Sequence, residues 1–195
     1  MSRRFKLFLT FAVIVVLGYG ASRLLSSSYS VPSEFQNARM QGALIAQNIV
    51  DLSNQSSRDL EEVNALDENG KFDDAFARTN ELVERSVEIR NQAVALADEV
   101  GKMTKALSGI QSFDARQAAL ESIASRLALI NRLIKYSNYL SQLLDALRSR
   151  FSGAVATSSQ VAALVNQINI EVRAINTFNG QAGQAMDRFD KIIRQ

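Results

Sequence analysis

From Phe72 to Leu107 one face of the chain repeats at alternating steps of three and four residues: Phe72, Ala75, Thr79, Leu82, Ser86, Ile89, Ala93, Leu96, Val100, Met103 and Leu107. Such steps return to the same side of an α-helix, which turns once in 3.6 residues, so five heptads of them specify a long amphipathic helix. A strand would bring apolar residues back every second position. No alternation of that kind competes anywhere along the chain.

The same reading recurs three more times. Phe35, Ala38, Gly42, Ile45, Ile49, Leu52, Ser56, Val63 and Leu66 mark a first stripe. Leu120, Ile123, Leu127, Ile130, Leu133, Leu140, Leu144, Leu147 and Phe151 mark a third, and Val161, Leu164, Ile168, Val172, Ile175, Ala182, Met186, Phe189 and Ile193 a fourth. An extra three-step in the third and an extra four-step in the fourth should overwind or unwind the supercoil locally.

Helix ends fall where the stripes stop. Ser33-Glu34-Phe35-Gln36 has the capping-box pattern, Asn69-Gly70 and Gly109 supply stops, Asp114–Gln117 is a weaker start, and Thr157–Gln160 is a second capping box. The predicted helices cover about 33–68, 71–108, 113–152 and 157–193. Each would be roughly 50 Å long, and short links between equal helices favour antiparallel neighbours. The expected fold is all-α: an N-terminal transmembrane helix followed by a long up-down-up-down four-helix bundle of coiled-coil character. Two hairpins packing on another copy are the alternative. The apolar stripe suffices for one chain's own core, which favours the single-chain bundle.

Residues 1–25 read as a membrane anchor or a secretion signal. Arg3, Arg4 and Lys6 precede an uncharged run at residues 7–22, and Arg23 closes it. Sixteen residues span roughly 24 Å as a helix, short of a bilayer core of about 30 Å, unless the flanking charges snorkel. A cleavage site before Ala21 is the competing reading. The excess of positive charge before the run keeps the N-terminus cytoplasmic. A serine-rich tether at 26–32 then leads into an extracytoplasmic bundle at 33–195, in the cell membrane as a single-pass protein or secreted after cleavage.

The +2 net charge comes from the anchor. Past residue 33 there are 18 basic and 20 acidic residues, with eight against fourteen in 34–108 and ten against six in 109–195. Packing of the two halves would satisfy this asymmetry internally, and nothing points to nucleic acid.

Chemistry is mostly excluded. Without His or Cys there is no zinc site, Ser-His-Asp triad or thiol nucleophile. No cofactor or metal is expected. Glu61-Glu62 and Asp73-Asp74 are neighbours that do not face each other on a helix, and they flank the Asn69-Gly70 turn. The inward positions named above hold no acid, so an enzyme is not expected.

Three features bear on recognition. Asn166, Asn169, Arg173 and Asn176 share a face of helix four, as Asn131, Lys135, Asn138 and Gln142 do on helix three. Such rows are read first as a solvated exterior, and adjacent amide faces as a site for a polar ligand such as a glycan are the alternative. Tyr136 and Tyr139, one turn apart, fit either an interface or the edge of the core. Gly180 and Gly183 either kink helix four or admit another backbone.

An N-terminal anchor followed by a four-helix extracytoplasmic bundle resembles the sensing domain of bacterial chemoreceptors, and its layout is similar to that of membrane-anchored LemA-type proteins. The resemblance is architectural and transfers no residue. The expected function is a structural or protein-interaction module, held to the bilayer through residues 7–22 and contacting a protein partner or itself through Tyr136, Tyr139, Asn166, Asn169 and Asn176. A ligand-sensing bundle that signals through a partner is the alternative.

Overall fold

The computed structural model describes residues 31–152 and 158–195, the side chain of Ser158 excepted. They form four long helices: α1 (Ser33–Glu68), α2 (Phe72–Ala106), α3 (Phe113–Phe151) and α4 (Ser158–Ile193), with one 3-10 turn at Leu107–Gly109. Among the described residues there is no strand. α1 packs on α2, α2 on α3 and α3 on α4. Cross-links between neighbours run antiparallel: Asp59 with Arg78 and Arg85, Ser86 with Ser137 and Ser141, Ser122 with the carbonyl of Ala182. α1 and α4 stand further apart and meet through side chains, as where the Phe35 and Phe189 rings lie 5.3 Å apart.

Gly70 stops α1 in the left-handed conformation, at φ +72°. A Cβ on Gly109 would stand 2.6 Å from Cγ of Pro32, so glycine lets the start of α1 close over the end of α2. The capping box at Ser33 does not form. Pro32 is the cap, its carbonyl accepting from the N–H groups of Phe35 and Gln36, while the Ser33 hydroxyl turns to Glu34. Ser112, rather than Asp114, caps α3 by accepting from the Ala115 N–H at 3.3 Å.

The stripes read on α2 and α4 are buried along their length, apart from Phe72, which is exposed and stacks on Phe151, and half-buried Leu107. On α1, Ile45, Leu52 and Leu66 are half-buried, because the inward arc also takes in Ala46, Val50, Ser53, Asp59 and Leu60.

α3 corrects the sequence reading. Leu120 and Leu127, taken as core, are exposed, and the inward positions of that part of the helix are Ala115, Ala118, Ala119, Ser122 and Ile123. The cause is close packing. The Ser122 hydroxyl donates to the Ala182 carbonyl of α4 at 3.0 Å, and Ala182 and Ala185 are buried in that part of α4. Small side chains allow that approach, and leucines in their place would overpack it.

The anchor read at residues 1–25, with Arg3, Arg4, Lys6 and Arg23, lies outside the described residues. So do most of the tether and Thr157. Among the described residues no helix is long and apolar enough to cross a membrane.

Candidate interaction surface

Among the described residues, large side chains of all four helices share one buried core. A void of about 10 Å³ lies at mid-height by Ile49, Leu96, Leu133 and Ile175. Another of about 20 Å³ lies by Val63, Leu143, Leu147 and Val161. Each has room for about one water at most. A surface groove of about 640 Å³ runs along the Pro32 end of α1 and α2, lined by Glu34, Asn37, Glu99, Lys102 and Lys105, and opens to solvent.

Tyr136 is a core residue, 2 % exposed, and not part of a surface. Burial pushes its phenol above the ordinary range, with the hydroxyl of Ser53 on α1 pulling the other way. Tyr139 is half-buried against the same core. Asn166 is exposed, and Asn169 and Asn176 are half-buried.

The two amide rows do not form one site. Asn169, Asn176 and Gly183 are spaced by sevens from Asp190, which Arg39 of α1 holds, so that column lies along the α1 side of α4. Asn131 and Asn138 lie on the outer edge of α3, beside the Ser137 and Ser141 positions that bond to α2. Gly180 and Gly183 sit on the exposed face of an unbroken helix, and an added Cβ would meet nothing within 4 Å, so no other backbone approaches them.

Two acids are inward, against expectation: Asp59 and Glu171. Each is neutralised by arginine. Asp59 accepts from Arg78 at 3.0 Å and from Arg85, and Glu171 accepts from Arg132 at 3.3 Å. They lie on different helix pairs and do not converge. Among the described residues no group of side chains is placed to hold a metal.

Charge is balanced only in part between the halves. Arg39–Asp190 and Arg150–Asp67 join them. Asp59, Glu171 and Glu121 find their arginines within their own half. The α1–α2 layer therefore stays acidic and the α3–α4 layer basic.

What the bundle offers outward is a second stripe on α3. Phe113, Gln117, Leu120, Ala124, Leu127, Asn131, Ile134 and Asn138 follow one another by fours and threes without a charge among them. Phe113 is 72 % exposed, and Leu120 and Leu127 about half. Positions seven apart share a column, so Phe113, Leu120, Leu127 and Ile134 lead to Ser141, which meets Ser86 of α2. The column thus borders α2. Val87 and Val94 of α2, both half exposed, lie about 200° round from the Arg85 column that faces α1, hence on the α3 side. Their heights, set by the Ser86 contacts, bring them level with Asn138 and Asn131. Val87 and Val94 thus adjoin the α3 strip at its Asn131–Asn138 end, while Asp98 and Lys105 of α2 stand level with Leu127 and Leu120. A charge-free alternation outside the core stripe was the signal in the sequence, hidden by counting Leu120 and Leu127 as core.

Comparison with known protein families, curated proteins and solved structures finds no match to this chain.

Proposed function

We propose that this bundle is a protein-interaction module that binds through its α2–α3 face, and that it works by contact rather than by catalysis. The observation that carries this reading is the uncharged, heptad-spaced strip of Phe113, Leu120, Leu127 and Ile134 bordered by Val87 and Val94. An exposed apolar strip framed by polar residues marks a contact site more often than a plain solvated surface. A ligand-sensing bundle would need a chamber between its helices, and voids of about 10 and 20 Å³ do not favour that alternative. Catalysis finds no support in acids that arginines already hold. In this reading the apolar run at residues 7–22 anchors the chain in the membrane, and the bundle works outside it.

The test is a photo-reactive residue at Leu120, compared in intact cells with the same residue at Arg58 on exposed α1. Adducts to protein concentrated at position 120 are expected. Equal or absent labelling at the two positions would overturn the assignment.

A further inference from the structure

We propose that the end of the bundle where α1 begins docks on a lipid bilayer, with the Phe113 ring inserted at the boundary of headgroups and acyl chains. The inference rests on the anchor proposed at residues 7–22 and adds where the folded domain itself meets the lipid.

Position is the first argument. A Cβ on Gly109 would stand 2.6 Å from Cγ of Pro32, and Val31 is packed partly buried against the core. The chain therefore enters the bundle beside the α2–α3 connection. Phe113 follows Gly109 by four residues, so their Cα atoms lie within about 15 Å of each other. The nine steps from Ser22 to Val31 span at most about 32 Å, even fully extended. The anchor thus holds this end near the lipid at any tilt of the bundle. The Asn69–Gly70 end, about 54 Å away along α1, is not held so.

The two ends also differ in kind. Residues 106–113, which join α2 to α3, carry no charge, whereas residues 67–74, which join α1 to α2, carry five. Phe113 is 72 % exposed, the most exposed large apolar side chain among the described residues. Phe72 opens α2 at the far end as Phe113 opens α3, but it is covered by the Phe151 ring at 6.5 Å. Phe113 has no ring partner among the described residues. An aromatic ring on an uncharged link enters the lipid boundary without carrying a charge into it.

Charge is the third argument. In the outermost turn of the near end Arg116, Lys191 and Arg194 stand exposed against Glu34 and Asp114. At the far end Lys71 stands against Glu68, Asp73 and Asp74, with Asp67 held by Arg150. Of the two ends, only the near one suits a surface of anionic headgroups. Leu120 and Leu127 lie about 10 and 21 Å further along α3, clear of the lipid in an upright bundle and free for the protein contact proposed above.

The chain has no tryptophan, so one introduced indole is unique. The full chain carrying Phe113→Trp is reconstituted in vesicles of phosphatidylcholine and phosphatidylglycerol, with and without brominated acyl chains, beside a Phe72→Trp control. Both variants are expected to float with the vesicles. Emission from position 113 should be blue-shifted and lose about half its intensity to brominated lipid, while emission from position 72 should not change. Flotation with unquenched emission at 113 would overturn the docking and leave the anchor standing. Equal quenching at the two positions would mean a bundle lying along the bilayer and would also overturn it. If neither variant floats, docking and anchor both fall.

Discussion

Arg39 of α1 clasps Asp190 of α4 at two points, Nη1 to Oδ1 at 2.6 Å and Nη2 to Oδ2 at 2.7 Å. This pair closes the side of the bundle where the backbones stay apart, and its charges are unevenly placed. Arg126 of α3 feels the Arg39 charge, so removing Asp190 leaves Arg39 without its partner, whereas removing Arg39 also takes a repelling charge from Arg126. Asp190→Asn is therefore expected to cost about 3 kcal/mol, and Arg39→Met, which also relieves Arg126, about half that. A double-mutant cycle by urea unfolding checks the ratio, and equal costs would count against the arrangement.

Arg126 shares its column with Ala119, Leu133 and Leu140, all buried. Burial, and then the charge of Arg39, lowers its guanidinium from 12.5 to about 10. Its Nε lies 3.5 Å from the Ser122 hydroxyl, and among the described residues no carboxylate pairs with it. A cation screened from water without a counter-ion costs stability. Arg126→Met should raise the unfolding free energy by about 1 kcal/mol, read from the urea midpoint at unchanged slope.

Register on α3 can be checked by two neighbouring substitutions. Ala119→Leu forces extra volume between α3 and α4 and should cost about 1–3 kcal/mol. Leu120→Ala removes a half-exposed side chain and should cost less than about 1 kcal/mol. The opposite order would restore Leu120 to the core.

Tyr136 gives a pH dependence with a definite sign. Its folded phenol titrates above the ordinary value of 10, so above about pH 10 the unfolded chain releases a proton that the native state keeps. The native state then binds more protons, and stability falls as pH rises, by up to about 1.4 kcal/mol per unit from this group. Tyr136→Phe lacks that loss. Between about pH 10 and pH 11 its unfolding free energy should decline less steeply than that of the wild type in parallel urea titrations.

α2 and α4 were legible because their inward positions hold the largest apolar side chains in an even rhythm, as Leu82, Ile89, Leu96 and Met103 do. α3 was not, because close packing on α4 demands Ala115, Ala119 and Ser122 inward, and a stripe drawn through the biggest residues swings out to Leu120 and Leu127. Asp59 and Glu171 broke the rule of apolar cores through arginines brought from another helix, which spacing within one helix does not reveal. Tyr136 carried a usable signal: Leu129 and Leu143, seven residues to either side, are buried with it. Whether the amide rows on α3 and α4 adjoin could not be read from either helix alone. Which column faces which helix depends on how the bundle closes, and periodicity within one helix is silent on that.

The most direct measurement concerns the exposed strip. Full-length wild type and a Leu120→Lys, Leu127→Lys variant are compared by size-exclusion chromatography of native extracts, with helicity and melting recorded for both. The account predicts a larger assembly for the wild type and a lone chain for the variant at equal helicity and melting temperature. Coincident elution of two equally folded proteins would contradict it.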